Sequence, residues 1–348
     1  MPKNHVQVVN DYLKEDVFSF DSTQIRRMQN ELLVASFKFH HANCLPYQKY
    51  CRGKSVDPSQ ITSMEDVYKI PLLDSRNALR KRQFFSVPKN QIILNFSSTG
   101  SSGKPLVWIG VDQVTLDWIV KGTLLFLKEY LPLQPGAALL LLPKLPQLKF
   151  ASIIQKVFDI MKIKIFYGLK AHFRRKSPIP EILPDFDTIK KFAQFDSGSK
   201  NLVGFPFALL NVRDWMKEQG FSFTLGANDY IITGGGWKPR DPSNKYRKLP
   251  REELEQEMTK IFNLPRENIR DFYGATEIMF GFPECVHSIN GKMEKTLHVT
   301  PWSYIYAVDP ETFEIVPPGK PGIAVVVDFI ARAYPGFILT DDVIIVEK

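Results

Sequence analysis

Short apolar runs of strand length alternate with segments of helical periodicity along most of this chain. Strands are predicted at residues 91–96, 106–110, 138–142, 162–167, 230–233 and 269–273. Helices are predicted at residues 22–39, 111–130 and 150–161, and from Pro250 onward. Strands return at residues 303–308 and 323–329. This alternation predicts an α/β fold with mixed sheets, helices and a β-rich C-terminal part.

The chain has 348 residues, of which 44% are hydrophobic, so it is long enough to bury a sizeable core. Residues 1–90 are mostly helical in pattern, and residues 57–58 and 70–73 are predicted to be connections. The sequence shows no internal repeat and no low-complexity linker. We therefore expect residues 1–90 to form a helical N-terminal region of the same domain whose core is residues 91–348.

Composition narrows the class of partner. The formal net charge of +8 suits an anionic ligand. Nucleic acid is not expected, because the sequence has no basic stripe and no short nucleic-acid-binding signature. Three cysteines are too few for a disulfide framework and indicate a reducing compartment. The N-terminus has no apolar secretory core, and residues 137–142 are too few to span a bilayer. A cytoplasmic protein without a membrane partner is expected.

The segment after the strand at 91–96 is rich in hydroxyl groups and glycine. It comprises Ser97, Ser98, Thr99, Gly100, Ser101, Ser102, Gly103, Lys104 and Pro105. Glycines let a ligand approach the backbone, and hydroxyl and amide groups donate hydrogen bonds to phosphate oxygens. A Walker loop is excluded, because Ser98 stands where that loop needs glycine and Pro105 where it needs serine or threonine. The segment is either a phosphate loop of another kind or a flexible turn.

Three further segments follow predicted strands. In residues 272–277, Tyr273 offers an aromatic face to a base, and Thr276 and Glu277 offer oxygens to a hydroxyl or Mg²⁺. The alternative is an ordinary turn with a capping threonine. Residues 233–238 place Gly234, Gly235, Gly236 and Lys238 at a strand end, where open α/β sheets bind ligands. Residues 339–342 end the β-rich part with Asp341 and Asp342, which suit ribose hydroxyls or a simple turn.

In this order, the four segments resemble the adenylate-forming superfamily of acyl-CoA ligases, peptide-synthetase adenylation domains and luciferases. Residues 97–105 are similar to its phosphate loop, and residues 273–277 to its adenine and Mg²⁺ motif. Thr340, Asp341 and Asp342 are similar to its Thr-Gly-Asp ribose motif. The resemblance implies an adenylate-forming N-terminal-domain fold, with residues 91–348 as the adenylation core.

The resemblance narrows further, to the acyl-protein synthetases of the bacterial bioluminescence fatty-acid reductase complex. The stretches that carry it are residues 40–47, 70–72, 234–238, 297–302 and 309–312, with Cys285. It spans about residues 15 to 342 and extends to phenylacetate-CoA-ligase-like proteins, which share much of the pattern.

The resemblance implies a role for each matching residue. Residues Ser97 to Lys104 would hold the phosphates of ATP, and Gly234 to Gly236 with Tyr273, Gly274 and Ala275 would line the adenine site. Thr276 would contact the α-phosphate, Glu277 would hold Mg²⁺, and Asp341 or Asp342 would bind ribose. Lys104, Thr276 and Glu277 are therefore the expected catalytic groups. Lys238 either attracts the carboxylate as a fourth catalytic group or is an exposed turn lysine.

The implied reaction is ATP-dependent activation of a fatty or aryl carboxylic acid to an acyl-adenylate, with release of pyrophosphate. The acyl group then passes to a thiol or amine, whether of an acceptor protein, CoA or a small amine, and a reductase or another biosynthetic protein is an implied partner. An aryl- or acyl-CoA ligase, an amide-forming ligase and a non-catalytic scaffold subunit are the alternatives.

Two departures from the family pattern bear on the second step. In the wider family a small C-terminal domain follows the ribose motif and delivers a lysine, whereas here only residues 343–348 remain, so that domain is expected to be absent. The bioluminescence synthetases accept the acyl group on a cysteine near the C-terminus, and this chain has no cysteine after Cys285. Cys285, His287 and His298 form at most a weak zinc site without a fourth ligand, against the simpler interpretation of a buried thiol.

Overall fold

The computed structural model describes residues 3–75, 78–79, 84–97, 107–143, 149–172, 181–237, 245–289 and 292–347. The chain divides into two compact units. Unit 1 comprises residues 1–125, 275–280 and 299–348, and unit 2 comprises residues 126–274 and 281–298. Residue 90, the expected junction between helical region and core, lies inside unit 1.

Every predicted helix and strand overlaps an observed element, whereas the long strands Phe282–Ile289 and Phe337–Ile345 were not predicted. The helices are α1 (His5–Tyr12), α2 (Ser22–Asn43), α3 (Leu45–Gly53), α4 (Gln113–Tyr130), α5 (Lys149–Ile160), α6 (Phe186–Ala193), α7 (Pro206–Glu218) and α8 (Arg251–Phe262). The strands are β1 (Leu73–Asp74), β2 (Ile92–Ser97), β3 (Trp108–Asp112), β4 (Gly136–Pro143), β5 (Ile163–His172), β6 (Glu181–Pro184), β7 (Ser199–Gly204), β8 (Ile231–Gly234), β9 (Ile269–Tyr273), β10 (Phe282–Ile289), β11 (Lys292–Leu297), β12 (Ser303–Val308), β13 (Pro321–Asp328) and β14 (Phe337–Ile345).

Unit 2 contains an eight-stranded sheet in the order β11-β10-β9-β8-β7-β4-β5-β6. Its five central strands, β9, β8, β7, β4 and β5, are parallel, and the strands outside them are antiparallel. Residues 137–141 of β4 are fully buried, as a continuous apolar run in a parallel strand requires. The chain leaves β4 for β5 on one side and later returns to β7 on the other side. Strand order therefore reverses between β4 and β7, where open α/β sheets form a ligand crevice.

A buried charge network supports the β8–β9 part of this sheet. Glu255 of α8 is fully buried and accepts hydrogen bonds from Arg251, Arg266 and Lys295. Burial alone would raise the pKa of this carboxyl, but the Lys295 and Arg266 partners hold it below its usual range. Loss of one partner would leave a buried charge uncompensated, which is costly.

Unit 1 contains a four-stranded sheet in the order β1-β14-β13-β12. The expectation that residues 70–73 are only a connection is wrong at Leu73, which begins β1 and pairs in parallel with Ile338 of β14. A two-residue strand carries no periodicity, so its sequence gives no signal. The expected hairpin is confirmed, because β2 and β3 pair in antiparallel with Ser97 opposite Trp108.

The N-terminal helices of unit 1 pack against segments from the rest of that unit. The imidazole Nε2 of His5 lies 2.7 Å from the carbonyl oxygen of Phe329, and the indole of Trp118 donates to Asn10 at 2.8 Å. His40 is fully buried and lies 2.7 Å from the Ser86 hydroxyl and 3.0 Å from the Ala331 carbonyl. These contacts tie α1 and α2 to α4 and to residues 328–337.

No helix in the described part of the chain combines the length and the apolar character that crossing a bilayer requires.

The close contact between α4 and Phe280 leads to a stability prediction. A Cβ atom at Gly122 would lie 2.4 Å from the Phe280 ring, which is itself packed 5.3 Å from the Trp302 ring. Gly122→Ala is expected to lower the free energy of unfolding by about 1–3 kcal/mol, although alanine is the better helix former. Gly53→Ala at the end of α3, where nothing lies within 4 Å, is the control. It should leave stability unchanged or raise it by at most about 1 kcal/mol in chemical denaturation. Equal values for the two variants would contradict the close contact.

Candidate functional site

The glycine-rich segment lies at the carboxyl end of β8, in unit 2. Gly235 and Gly236 have φ angles of 71° and 70°, a left-handed conformation that favours glycine. A Cβ atom at Gly235 would lie 2.5 Å from the Phe205 ring, so the backbone passes directly against that side chain. Phe205 follows β7 and stacks on Phe207 with ring centres 5.5 Å apart. The turn and the two rings therefore lie beside the point where strand order reverses, as expected for a ligand crevice.

Tyr273 ends the neighbouring strand, β9, and is opposite Phe282 of β10. The two rings are stacked, with centres 6.0 Å apart and planes 5° from parallel. Next to them, a Cβ at Gly281 would lie 2.4 Å from the Tyr273 carbonyl oxygen. One face of the Tyr273 ring is thus packed within the hairpin.

Thr233 links the ends of β8 and β9. Its hydroxyl donates to Asp271 at 2.6 Å and accepts from the guanidinium of Arg251 at 3.0 Å. Arg251 in turn donates to the buried Glu284 at 2.9 Å. The charge network around α8 therefore reaches the residue directly before the three glycines and fixes where their turn begins.

Residues 275–280 belong to unit 1, although the residues before and after them belong to unit 2. The Ile278 amide donates to the Ala275 carbonyl at 3.1 Å, which forms a turn. The Tyr334 hydroxyl donates to the Glu277 carbonyl at 2.7 Å, and the Met279 amide donates to the Asp328 carboxylate at 2.8 Å. The predicted Thr276 and Glu277 thus lie on a turn held by residues of the C-terminal segment.

Glu277 lies among other carboxylates of unit 1. Burial raises the pKa of the Glu277 carboxyl above its ordinary value, and the charges of Asp342 and Asp341 raise it further. A hydrogen bond with Ser75 acts in the opposite direction. These two negative neighbours disfavour a charge on the partly buried Glu277, and a bound cation would offset that effect.

A Mg²⁺ ion shared between Glu277 and the phosphates of a bound substrate would fit this arrangement. Within the described residues, no group of three or more His, Cys, Asp or Glu side chains could hold a metal ion by itself. Mg²⁺ usually binds one or two carboxylates together with substrate phosphates and water. Glu277, with its raised pKa and two acidic neighbours, suits that mode of binding.

Asp341 and Asp342 lie within β14, three or more residues before its end at Ile345. The expectation that residues 339–342 end the β-rich part is therefore wrong, and so is the alternative that these two residues form a simple turn. Both side chains are exposed, and the Asp342 amide contacts the hydroxyl of Thr340 at 3.2 Å. The strand continues because β13 pairs with it as far as Ile345.

Several predicted site residues lie outside the described residues. They are Ser98, Thr99, Gly100, Ser101, Ser102, Gly103, Lys104 and Lys238. Ser97 is the last residue of β2, so the predicted phosphate loop begins where the β2–β3 hairpin closes.

Comparison with known proteins decides the family. Residues 4–348 match the family model described as "Acyl-protein synthetase, LuxE". The chain belongs to the LuxE acyl-protein synthetase family. A long-chain-fatty-acid–luciferin-component ligase of Vibrio harveyi is 25% identical over 327 residues, which cover 93% of this chain and 80% of that protein. The ligase of the same name from Aliivibrio fischeri is 26% identical over 339 residues, covering 96% and 83%.

A solved structure shows the fold of this LuxE family member. An open conformation of 2-hydroxyisobutyryl-CoA ligase, in complex with 2-HIB-AMP and CoA, matches with a TM-score of 0.71. The match covers 94% of this chain and 71% of the other at 13% identity. At this identity the likeness concerns the fold alone, and it confirms the adenylate-forming fold expected from the sequence.

Among the described residues, Cys285, His287 and His298 do not belong to any group of side chains that could hold a metal ion. Cys285 is buried, and burial raises the pKa of its thiol to about 11. His298 packs against the Tyr130 ring at 4.5 Å, and His287 is exposed. A thiol with this pKa is a weak nucleophile at neutral pH.

Sequence reasoning missed Asp328 and Tyr334, which hold the turn that carries Glu277. Asp328 ends an otherwise apolar strand, and a single carboxylate in a buried run is itself a signal. Tyr334 gives no local signal, because its partner lies in a distant part of the sequence.

The two left-handed glycines form a matched pair for mutation. Gly235→Ala and Gly236→Ala each place a side chain in the left-handed region, at a cost of about 1–2 kcal/mol. Only at Gly235 does the new Cβ meet the Phe205 ring, since nothing lies within 4 Å at Gly236. Gly235→Ala should therefore be less stable than Gly236→Ala by about 1–3 kcal/mol in chemical denaturation. Equal losses would show that Phe205 moves aside without cost.

Asp328 should make stability depend on pH. Burial raises the pKa of this carboxyl from 3.8 to about 6, although several backbone amides donate to it. The folded state then binds a proton that the unfolded state has lost between about pH 4 and 6, so the contribution of Asp328 to stability falls as pH rises through that window. The difference in free energy of unfolding between wild type and Asp328→Asn should shrink by roughly 2–3 kcal/mol from pH 4 to 6.5. A difference that is constant with pH would contradict the raised pKa.

Proposed function

We propose that this acyl-protein synthetase family member activates a carboxylic acid with ATP and then transfers the acyl group. In the first step the carboxylate attacks the α-phosphorus, the bond to the β-phosphate oxygen breaks, and pyrophosphate leaves. In the second step a thiol or amine takes the acyl group and AMP leaves. The observation that carries the proposal is the partly buried Glu277 within electrostatic reach of Asp341 and Asp342, in a chain that matches the family over residues 4–348.

The residue roles follow the four motifs. Residues 97–104 are proposed to donate to the ATP phosphates, with Lys104 as the cation. Gly234 to Gly236 are proposed to let adenine approach the backbone. The ring of Tyr273 is proposed to contact the base.

The remaining roles lie in unit 1. Thr276 is proposed to donate to the α-phosphate, and Asp341 or Asp342 to accept from ribose hydroxyls. Glu277 is proposed to hold Mg²⁺, which when bound neutralises charge on the phosphate oxygens. Positioning and electrostatic stabilisation then supply most of the rate enhancement, because these groups form no covalent bond to the substrate.

A long-chain fatty acid is the proposed acid. Both curated relatives are named as ligases of long-chain fatty acids. Phe205 is only partly buried and lies against the glycine turn, and a partly exposed aromatic face of this kind suits an apolar chain. An aryl acid is the second candidate, because aromatic rings also stack on Phe side chains. For Lys238, attraction of the incoming carboxylate remains the proposed role.

Exchange of labelled pyrophosphate into ATP tests the first step. Exchange should depend on an added acid, and fatty acids of different length compared with aryl acids would identify the substrate class. Glu277→Gln and Lys104→Ala should each lower the exchange rate by about 100-fold or more, as expected for loss of a group that stabilises developing charge. Glu311→Gln, at an exposed carboxylate of unit 1, should have no effect.

Exchange that survives both substitutions would show that the residue roles are wrong. No exchange with any acid, together with no binding of ATP, would exclude the enzyme and favour a scaffold subunit. Where exchange occurs, the destination of a labelled acyl group distinguishes an acceptor protein, CoA and a small amine.

A further inference from the structure

Asp328 places a buried carboxylate between two segments of unit 1. The residue is fully buried at the end of β13. One carboxylate oxygen accepts from the Met279 amide at 2.8 Å, and the other accepts from the Ile330 amide at 3.2 Å. The Ala331 amide donates to the backbone carbonyl of Asp328 at 3.4 Å. Backbone donors from two separate segments therefore converge on one side chain, one on each carboxylate oxygen.

The two segments carry the acidic residues of the candidate site. Met279 and Phe280 belong to the turn that contains Glu277. Ile330 and Ala331 belong to the connection from β13 to β14. Asp341 and Asp342 lie in β14 itself. The Tyr334 hydroxyl adds a second link, because it donates to the Glu277 carbonyl.

A backbone hydrogen bond also fixes the connection between Asp328 and β14. The Asp328 amide donates to the Gly336 carbonyl at 2.8 Å, so the chain returns to Asp328 before β14 begins. A Cβ at Gly336 would lie 2.3 Å from the Asp328 carbonyl oxygen, which requires glycine there. A shift of Asp328 would thus move both the turn and the start of β14.

We propose that Asp328 is a positioning residue that fixes Glu277 relative to Asp341 and Asp342, and so sets the affinity of the site for MgATP. The proposal rests on the proposed function. A carboxylate is needed because the Met279 and Ile330 amides each require an acceptor, one on each oxygen. Asparagine keeps one oxygen and directs an NH₂ group at amide donors, so it should satisfy only part of the network.

A purely structural role makes a different prediction. It would lower stability and the fraction of folded enzyme, without changing the Mg²⁺ concentration that gives half-maximal activity. A positioning role changes that concentration in the folded enzyme, and it leaves the KM for the carboxylic acid nearly unchanged.

The test compares Asp328→Asn with a matched control, Asp229→Asn. Asp229 is also buried and also accepts from two backbone amides, those of Lys200 at 2.8 Å and Gly226 at 2.6 Å, but it lies in unit 2 before β8. In pyrophosphate exchange, Asp328→Asn should raise the half-maximal Mg²⁺ concentration and the KM for ATP at least fivefold. Asp229→Asn should lower stability and leave both values within twofold of wild type.

Tyr334→Phe keeps the proposal testable where Asp328→Asn does not fold. It removes only the hydroxyl that donates to Glu277, and it should raise the half-maximal Mg²⁺ concentration at least twofold. Equal shifts in Asp328→Asn and Asp229→Asn, or no shift in Tyr334→Phe, would overturn the positioning role.

Hydrogen exchange separates this proposal from the proposed function, because it needs no activity. In folded Asp328→Asn the amides of Met279 and Ile330 should exchange at least tenfold faster than in wild type, while amides of β8 keep their protection. Active wild-type enzyme with no effect of Asp328→Asn on Mg²⁺ or on these amides would overturn the positioning role alone. Inactive wild-type enzyme with faster exchange of these amides in the variant would overturn the proposed function and leave the link between the two segments standing.

Discussion

The carboxylate of Asp328 connects parts of unit 1 that are far apart in the sequence. It is buried, and it accepts from amides on the turn at 275–280 and on the connection that follows β13. A buried carboxylate is stable only when its oxygens are satisfied, so these segments must stay together for the charge to be tolerated. The location of Glu277 depends on that requirement, because Glu277 lies two residues before Met279.

Asp328 and Glu277 of unit 1 differ in their surroundings. Asp328 accepts hydrogen bonds from backbone amides. Glu277 is near two other carboxylates, which raise its pKa, and a hydrogen bond with Ser75 lowers it. The first arrangement is complete within the protein. The second leaves excess negative charge that a cation can relieve, and for that reason the candidate metal position is at Glu277 and not at Asp328.

Local pattern was enough for three strands of the eight-stranded sheet. Strand β9 was predicted with its observed bounds, and β8 and β4 within two residues at each end, because glycine or proline marks the end of each. Strand β14 was missed, because Thr340, Asp341 and Asp342 interrupt its apolar pattern and its stability comes from pairing with β13. The motifs located Glu277 and the three glycines, whereas Asp328 and Tyr334 act through contacts that only the folded chain brings together.

Unit 1 is built from segments at both ends of the chain, and this has a consequence for folding during translation. Its sheet pairs Leu73 near the start of the chain with Ile338 near the end, and His5 contacts Phe329. During translation, the apolar faces of α1 and α2 cannot be buried until β13 and β14 have been synthesised. Nearly all of unit 2 is synthesised in between. Long-range pairing of this kind is slow and leaves apolar surface exposed to aggregation. We therefore expect unit 1, more than unit 2, to be exposed to aggregation during translation.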